Sequence, residues 1–336
     1  MRRSHLQLIV GLAVSAGALY LLLAGMDVAT LFERWSQLSA GSVVLAGTFL
    51  AGGYLLRVVR WWWMLRSFEP RLRLAHCVTP FVGSIALNNV LPLRAGDAVR
   101  AFGFRRQLGL APATVLGTVV VERLLDLAML LVLFFVGLSL ASTDLLPAGM
   151  ASAARWLGIG AAFVLIALPF AGPTLARRLA PVPGAQAPSG LQAARAGAAA
   201  LLESFALLRS LSCTALLVPL TVLIWTLEGA VFAAIAADLA QGAPPAAAWF
   251  AMATGTLATL LPSTPGYVGT FDYFAMLGLM AFAVGRGAAT AFSLTVHAVL
   301  WLPVTAVGLG LLAWHGGMTA LRPSSTEPAA RRATPT

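Results

Sequence analysis

Residues Asn88–Arg106 read NNVLPLRAGDAVRAFGFRR, and this stretch decides how the chain is folded. It follows directly on an apolar run, Leu74 to Leu91, that is long enough to span a bilayer by itself. In hydrocarbon every backbone N–H and C=O needs an internal partner, so irregular backbone is tolerated only inside protein or along a water-filled cavity. Yet here Pro92 removes a donor, Gly96 permits a tight bend, and Asn88 and Asn89 bring amides. Arg94, Asp97 and Arg100 add charge. If Leu74–Leu91 crossed, Arg94, Arg100, Arg105 and Arg106 would all lie outside, against the positive-inside bias. A re-entrant hairpin keeps the four cytoplasmic and lets the next run, Pro112 to Leu140, cross outward as its length demands.

The surrounding composition sets the class. Of 336 residues, 59% are hydrophobic and 10% charged, with a mean hydropathy of +0.87. Soluble domains carry about 25% charged residues. The expected fold is therefore an all-α integral membrane protein. It has about six spanning helices and two opposed re-entrant helical hairpins in an inverted-repeat arrangement, filling residues 1–315. The spans outside Pro112–Leu140 are Leu6–Gly25, Gly41–Leu65, Ser152–Leu175, Cys213–Leu239 and Ala288–Trp314. Met26–Ala40 and Thr143–Asp144 read as outer loops, and Pro181–Gly190 as a cytoplasmic turn. A surface elbow helix is expected at about 189–210 and a disordered cytoplasmic tail at 316–336.

The net charge of +10 comes from arginine alone, since the chain has no lysine. Arginines gather in the turns: Arg34, Arg155 and Arg286 fall outside, Arg123 lies within the membrane, and the rest are cytoplasmic. That asymmetry argues for a multi-pass protein of the cell inner membrane with both termini cytoplasmic, and against a nucleic-acid partner. Arg57, Arg60, Trp61, Trp62, Trp63 and Arg66 close the second run as an interfacial belt. Cys77 and Cys213 show no metal-ligand spacing, and no metal or cofactor is expected.

A second break, LPSTPGYVGTFD at Leu261–Asp272, shares the spacing Leu-Pro-x-x-x-Gly with Leu91–Gly96, and each is followed by an acid, Asp97 or Asp272. Broken helices in corresponding, opposite positions are the sequence mark of a midplane substrate site. The run Asn88–Pro92 with Arg94, Gly96, Asp97 and Arg100 resembles the flippase-like membrane domain of lysylphosphatidylglycerol synthases. So do Val121–Leu124 with Asp126, and Leu261–Pro262 with Pro265, Gly266 and Gly269. The resemblance covers about Leu6 to Trp314, without the cytosolic synthase domain of the bifunctional members. It implies a non-enzymatic lipid transporter for a charged or modified headgroup, such as a phospholipid, a polyprenyl-phosphate-linked lipid or a hopanoid-type lipid. A lipid-biosynthesis enzyme is the implied partner, and the oligomeric state is left open.

A charge at the centre of a span costs about 2.5–3.5 kcal/mol even on the lenient insertion scale. Glu122, Arg123 and Asp126 are therefore candidate headgroup residues, together with Asn88, Asn89, Arg94, Asp97 and Arg100. Ser263, Thr264 and Tyr267 join them from the second break, and Glu228, Asp272 and His297 are candidates for proton coupling. The competing structural account is a permanent buried ion-pair cluster that fixes helix packing. The competing functions are a non-transporting membrane partner of a lipid-biosynthesis enzyme, an interfacial lipid-modifying transferase and a small-solute transporter.

Overall fold

In the computed structural model, residues 2–24, 26–141, 149–180 and 190–320 are described, and their regular structure is entirely helical. The outer loop expected at Thr143–Asp144, the turn after Pro181 and the tail beyond residue 320 lie outside them. The first half contains α1 (Arg2–Leu23), α2 (Val28–Ser36), α3 (Ala40–Arg66), α4 (Ala75–Val90), α5 (Ala95–Phe102), α6 (Arg105–Leu108) and α7 (Pro112–Leu140). Then follow α8 (Met150–Leu179), α9 (Gly190–Glu203), α10 (Leu211–Leu239), α11 (Pro245–Ala258), α12 (Thr270–Met280) and α13 (Arg286–Ala320). Helix starts follow local chemistry. Ser39 and Ser210 accept from the backbone N–H of Ser42 and Cys213, and Pro112 and Pro245 occupy the first turn, where a missing N–H costs nothing.

Among the described residues four segments are long and apolar enough to cross a membrane: 40–66, 155–179, 211–239 and 286–316. Helix α7 is as long, at 29 residues, but carries Glu122, Arg123 and Asp126. Met26–Ala40 is not a plain loop: Asp27 caps α2 by accepting from Ala29 N–H, and Trp35 reaches α13 by donating to Thr295. The expected elbow is helical to Glu203 and then a 3₁₀ turn, Ser204–Arg209, which buries Phe205 against α7 and α8.

Two helix pairs enter the bundle from opposite ends. At one end the His76 carbonyl accepts from Gln107 Nε2, tying the start of α4 to the chain leaving α5. At the other end the turns before α11 and after α12 line one pocket of about 810 Å³ with Arg34 and Arg286. The two halves also pack by one scheme. Helix α3 lies along α10, α4 packs on α13 as α11 packs on α7, and α5 and α12 each meet the long helix that follows them.

The tips share two backbone features, in a register the Leu-Pro spacing does not give, although Gly266 at the centre of the second turn is itself left-handed, with φ 74°. Each break is a single 3₁₀ turn opened by proline, Pro92–Arg94 and Pro265–Tyr267, so Pro92 corresponds to Pro265 rather than to Pro262. Each turn ends on a non-glycine residue with positive φ, Arg94 at 53° and Tyr267 at 60°. Such a conformation costs on the order of 1–2 kcal/mol and persists only where the surroundings fix it.

Gly96 lets α5 fold back on α4. A Cβ there would lie 2.0 Å from the Ser84 carbonyl oxygen and 2.8 Å from the Asn88 nitrogen, both backbone atoms that cannot yield. Gly96→Ala is expected to lower the melting temperature by several degrees and to broaden the gel-filtration peak. Gly17→Ala, whose Cβ would meet nothing within 4 Å, is expected to leave both unchanged.

Candidate functional site

A cavity of about 680 Å³ lies where the two tips meet, walled by α3, α4, α7, α10, α11, α13 and both breaks. Most of its surface is apolar, and its polar groups are arranged in pairs. Arg57 on α3 donates to Glu228 on α10 at 2.9 Å. Arg60 grips Asp126 with both terminal nitrogens, at 2.8 and 3.0 Å, while also donating to Thr221. Asp126 takes a further bond from Trp225 Nε1 at 3.1 Å. Arg100 donates to Glu122 at 3.1 Å, and Arg123 lies a looser 3.6 Å from Asp97.

These pairs differ in what they leave free. The Arg100 guanidinium is wholly buried, with ring centroids of Trp61 and Phe81 at 3.8 and 4.2 Å from its central carbon. It is therefore held away from the cavity, whose wall it supports through Glu122. Arg60 is likewise fully buried behind Asp126. Arg123 is different, with a side chain 37% exposed, whereas those of Arg60 and Arg100 are at 0%.

Arg94 has no carboxylate within ion-pair distance among the described residues. Its Nε donates to the Tyr267 hydroxyl at 3.0 Å, and its Nη2 lies 3.4 Å from the Thr259 carbonyl. The tip of one break thus holds the tip of the other, through Arg94 and Tyr267, the positive-φ residues that end the two turns. Four arginines meet four carboxylates around the cavity, and Arg94 supplies one uncompensated positive charge.

Asn88 braces the first tip, donating to Asp97 Oδ1 at 3.0 Å and accepting from the Asp97 N–H, while Asn89 donates to Thr305 on α13. In the second half, His297 lines the cavity with Nδ1 at 2.8 Å from Asp272 and Nε2 at 2.9 Å from the Gly266 carbonyl oxygen. Asp272 also accepts from Gly269 N–H, so its carboxylate faces the break and not the cavity. Ser263 and Thr264 do not line the cavity. They dock α1: Ser15 Oγ accepts from Thr264 N–H, and a Cβ at Gly11 would touch the Ser263 carbonyl oxygen at 3.0 Å.

The expected interfacial belt divides. Trp63 is partly exposed and Trp62 is tied to the Leu72 carbonyl, but Trp61 is fully buried and donates to Thr118, and Arg57 and Arg60 pair inside the bundle. Tyr54, Thr259 and Trp301 also line the cavity without having been singled out in the sequence. One signal for the arginines was available. Glu122, Asp126 and Glu228 sit deep in apolar runs that contain a single Arg123, and the missing countercharges had to come from another helix.

A family model described as lysylphosphatidylglycerol synthase TM region matches residues 8–308. No curated protein matches the chain.

Proposed function

The chain belongs to the lysylphosphatidylglycerol synthase TM region family, and from that premise we propose that it carries lipids with a phosphate-bearing headgroup between the leaflets of the bacterial inner membrane. The observation that supports this most directly is Arg94, the surplus cation in a mostly apolar cavity, with Arg123 partly exposed beside it. A guanidinium donates in a planar fork that suits a phosphate. The headgroup passes between Arg94 and Arg123 while its chains remain in lipid, so no bare charge enters hydrocarbon.

The proposed membrane arrangement has six spans, α1, α3, α7, α8, α10 and α13, with α4–α5 and α11–α12 as opposed re-entrant hairpins. The shared packing scheme and the matched tips support an inverted repeat, in which the halves rock about the site in alternation. Both termini face the cytoplasm, and the chain performs no chemical step itself.

The test is leaflet exchange in liposomes that contain the purified protein. The protein is expected to accelerate exchange of labelled phosphatidylglycerol and a polyprenyl phosphate over protein-free liposomes, and not that of a diacylglycerol, which carries no charge and crosses unaided. Equal acceleration of all three would remove the headgroup from the mechanism. No exchange by folded protein would favour a membrane partner of a lipid-biosynthesis enzyme, and a new lipid product would favour a transferase.

A further inference from the structure

The two halves place the same pair of groups at the same positions, with one difference. Asp97 and Asp272 are each the third residue of their helices, counted from Ala95 and Thr270. Arg123 and His297 are each the twelfth, counted from Pro112 and Arg286. Arg123 meets Asp97, and His297 meets Asp272. The cation of the first half is permanent, whereas its counterpart in the second half can lose its charge.

The surroundings of His297 give that difference a consequence. A neutral imidazole has one N–H and one lone pair, whereas the imidazolium donates from both nitrogens. Here both nitrogens face acceptors, the Asp272 carboxylate and the Gly266 carbonyl. With Asp272 ionised, both contacts are hydrogen bonds only in the charged ring. Gly266 adjoins Tyr267, whose hydroxyl holds Arg94, so the proton on His297 lies two links from the surplus cation.

We infer that His297 is a proton site that locks the second break to α13, and that each release of the Arg94–Tyr267 contact is accompanied by release of one proton. The proton leaves Nε2 for water in the cavity, while Nδ1–H stays on Asp272. The Nε2 lone pair then faces the Gly266 oxygen, and that repulsion frees the turn and with it Arg94. Other groups around the ring do not substitute for it. Asp272 is on α12, Arg94 and Tyr267 are at the tips, and Glu228 of α10 is already paired with Arg57 beside Tyr54 of α3. Helix α4 offers only the amides Asn88 and Asn89 nearby, and α2 meets α13 through Trp35. The inference deepens the transport proposal, since it makes lipid movement sensitive to a proton gradient.

The test begins without transport. The chain has four histidines, so ¹⁵N-histidine spectra of the protein in nanodiscs are tractable, with His297 assigned by its absence in His297→Gln. Across a pH series the His297 ring is expected to pass from two protons to one, keeping Nδ1–H. Over that series, amide exchange in Thr264–Gly269, corrected for its intrinsic pH dependence, is expected to rise about tenfold, as for loss of one hydrogen bond to a charged group. His297→Arg, which copies the first half, is expected to abolish that rise. A ring in one state throughout, or a titrating ring with unaltered exchange in the turn, would overturn the inference whatever the lipids do. Leaflet exchange by wild type that ignores pH would overturn the coupling alone, and absence of any leaflet exchange would overturn the transport proposal instead.

Discussion

Arg94→Ala is expected to slow leaflet exchange of phosphate-bearing lipids about 30-fold or more, while the protein remains folded. Truncating one partner of a desolvated, hydrogen-bonded charge pair costs about 2–5 kcal/mol, and 2 kcal/mol is a factor of about 30. The fold should survive because Arg94 balances no carboxylate, so its removal leaves no buried countercharge. It lies at the tip of its break, bonded among the described residues only to Tyr267 and Thr259. Arg123→Ala should slow exchange comparably but also reduce stability, since Asp97 then loses its cation. Arg94→Lys should fall between, because an ammonium keeps the charge but not the planar fork. Tyr267→Phe should retain exchange, because it removes an acceptor that the headgroup has to displace. The measurement is exchange per folded protein, with melting temperature recorded for every variant. Wild-type exchange by Arg94→Ala would mean that the surplus cation is not on the lipid's path.

What the sequence disclosed about this site depended on chain distance. The breaks were legible because proline, glycine and charge in an apolar run are local contradictions that only a cavity or a protein interior resolves. The ends of α7 and α10 followed from the run lengths. Arg123 and Asp97 were legible as charges in the wrong medium, but their partnership was not, because it joins helices. Arg57 and Arg60 were misplaced for a physical reason. Near the end of a span an arginine snorkels to water as readily as it pairs inward, and local sequence does not distinguish the two. The choice was made by Glu228 and Asp126, which are 171 and 66 residues away. The tip register was hidden too: Leu-Pro repeats pointed to Pro262, whereas backbone geometry matches Pro265 to Pro92.

Asp126→Ala is expected to destabilise the protein by about 3–5 kcal/mol, because it strands a fully buried guanidinium. Arg60 would keep Thr221 but lose both bonds to the acid, and Trp225 would lose its acceptor. Glu228→Gln should cost less, since Arg57 and Glu228 are each 12% exposed to the cavity, where water can take over part of the solvation. The informative comparison is the double change Arg60→Met with Asp126→Leu, which removes both charges and puts apolar side chains in their place. Replacing a whole buried pair by apolar groups is often neutral or stabilising. Thermal or denaturant unfolding of the double variant should therefore recover most of the loss. Its lipid exchange then separates two roles that the geometry brings close together. If Arg60 and Asp126 only frame the cavity, the stable double variant exchanges lipid like wild type, and the transported charge is met by Arg94 and Arg123 alone. A stable double variant that no longer moves lipid would instead put the Asp126 carboxylate, which lines the cavity, on the headgroup's route.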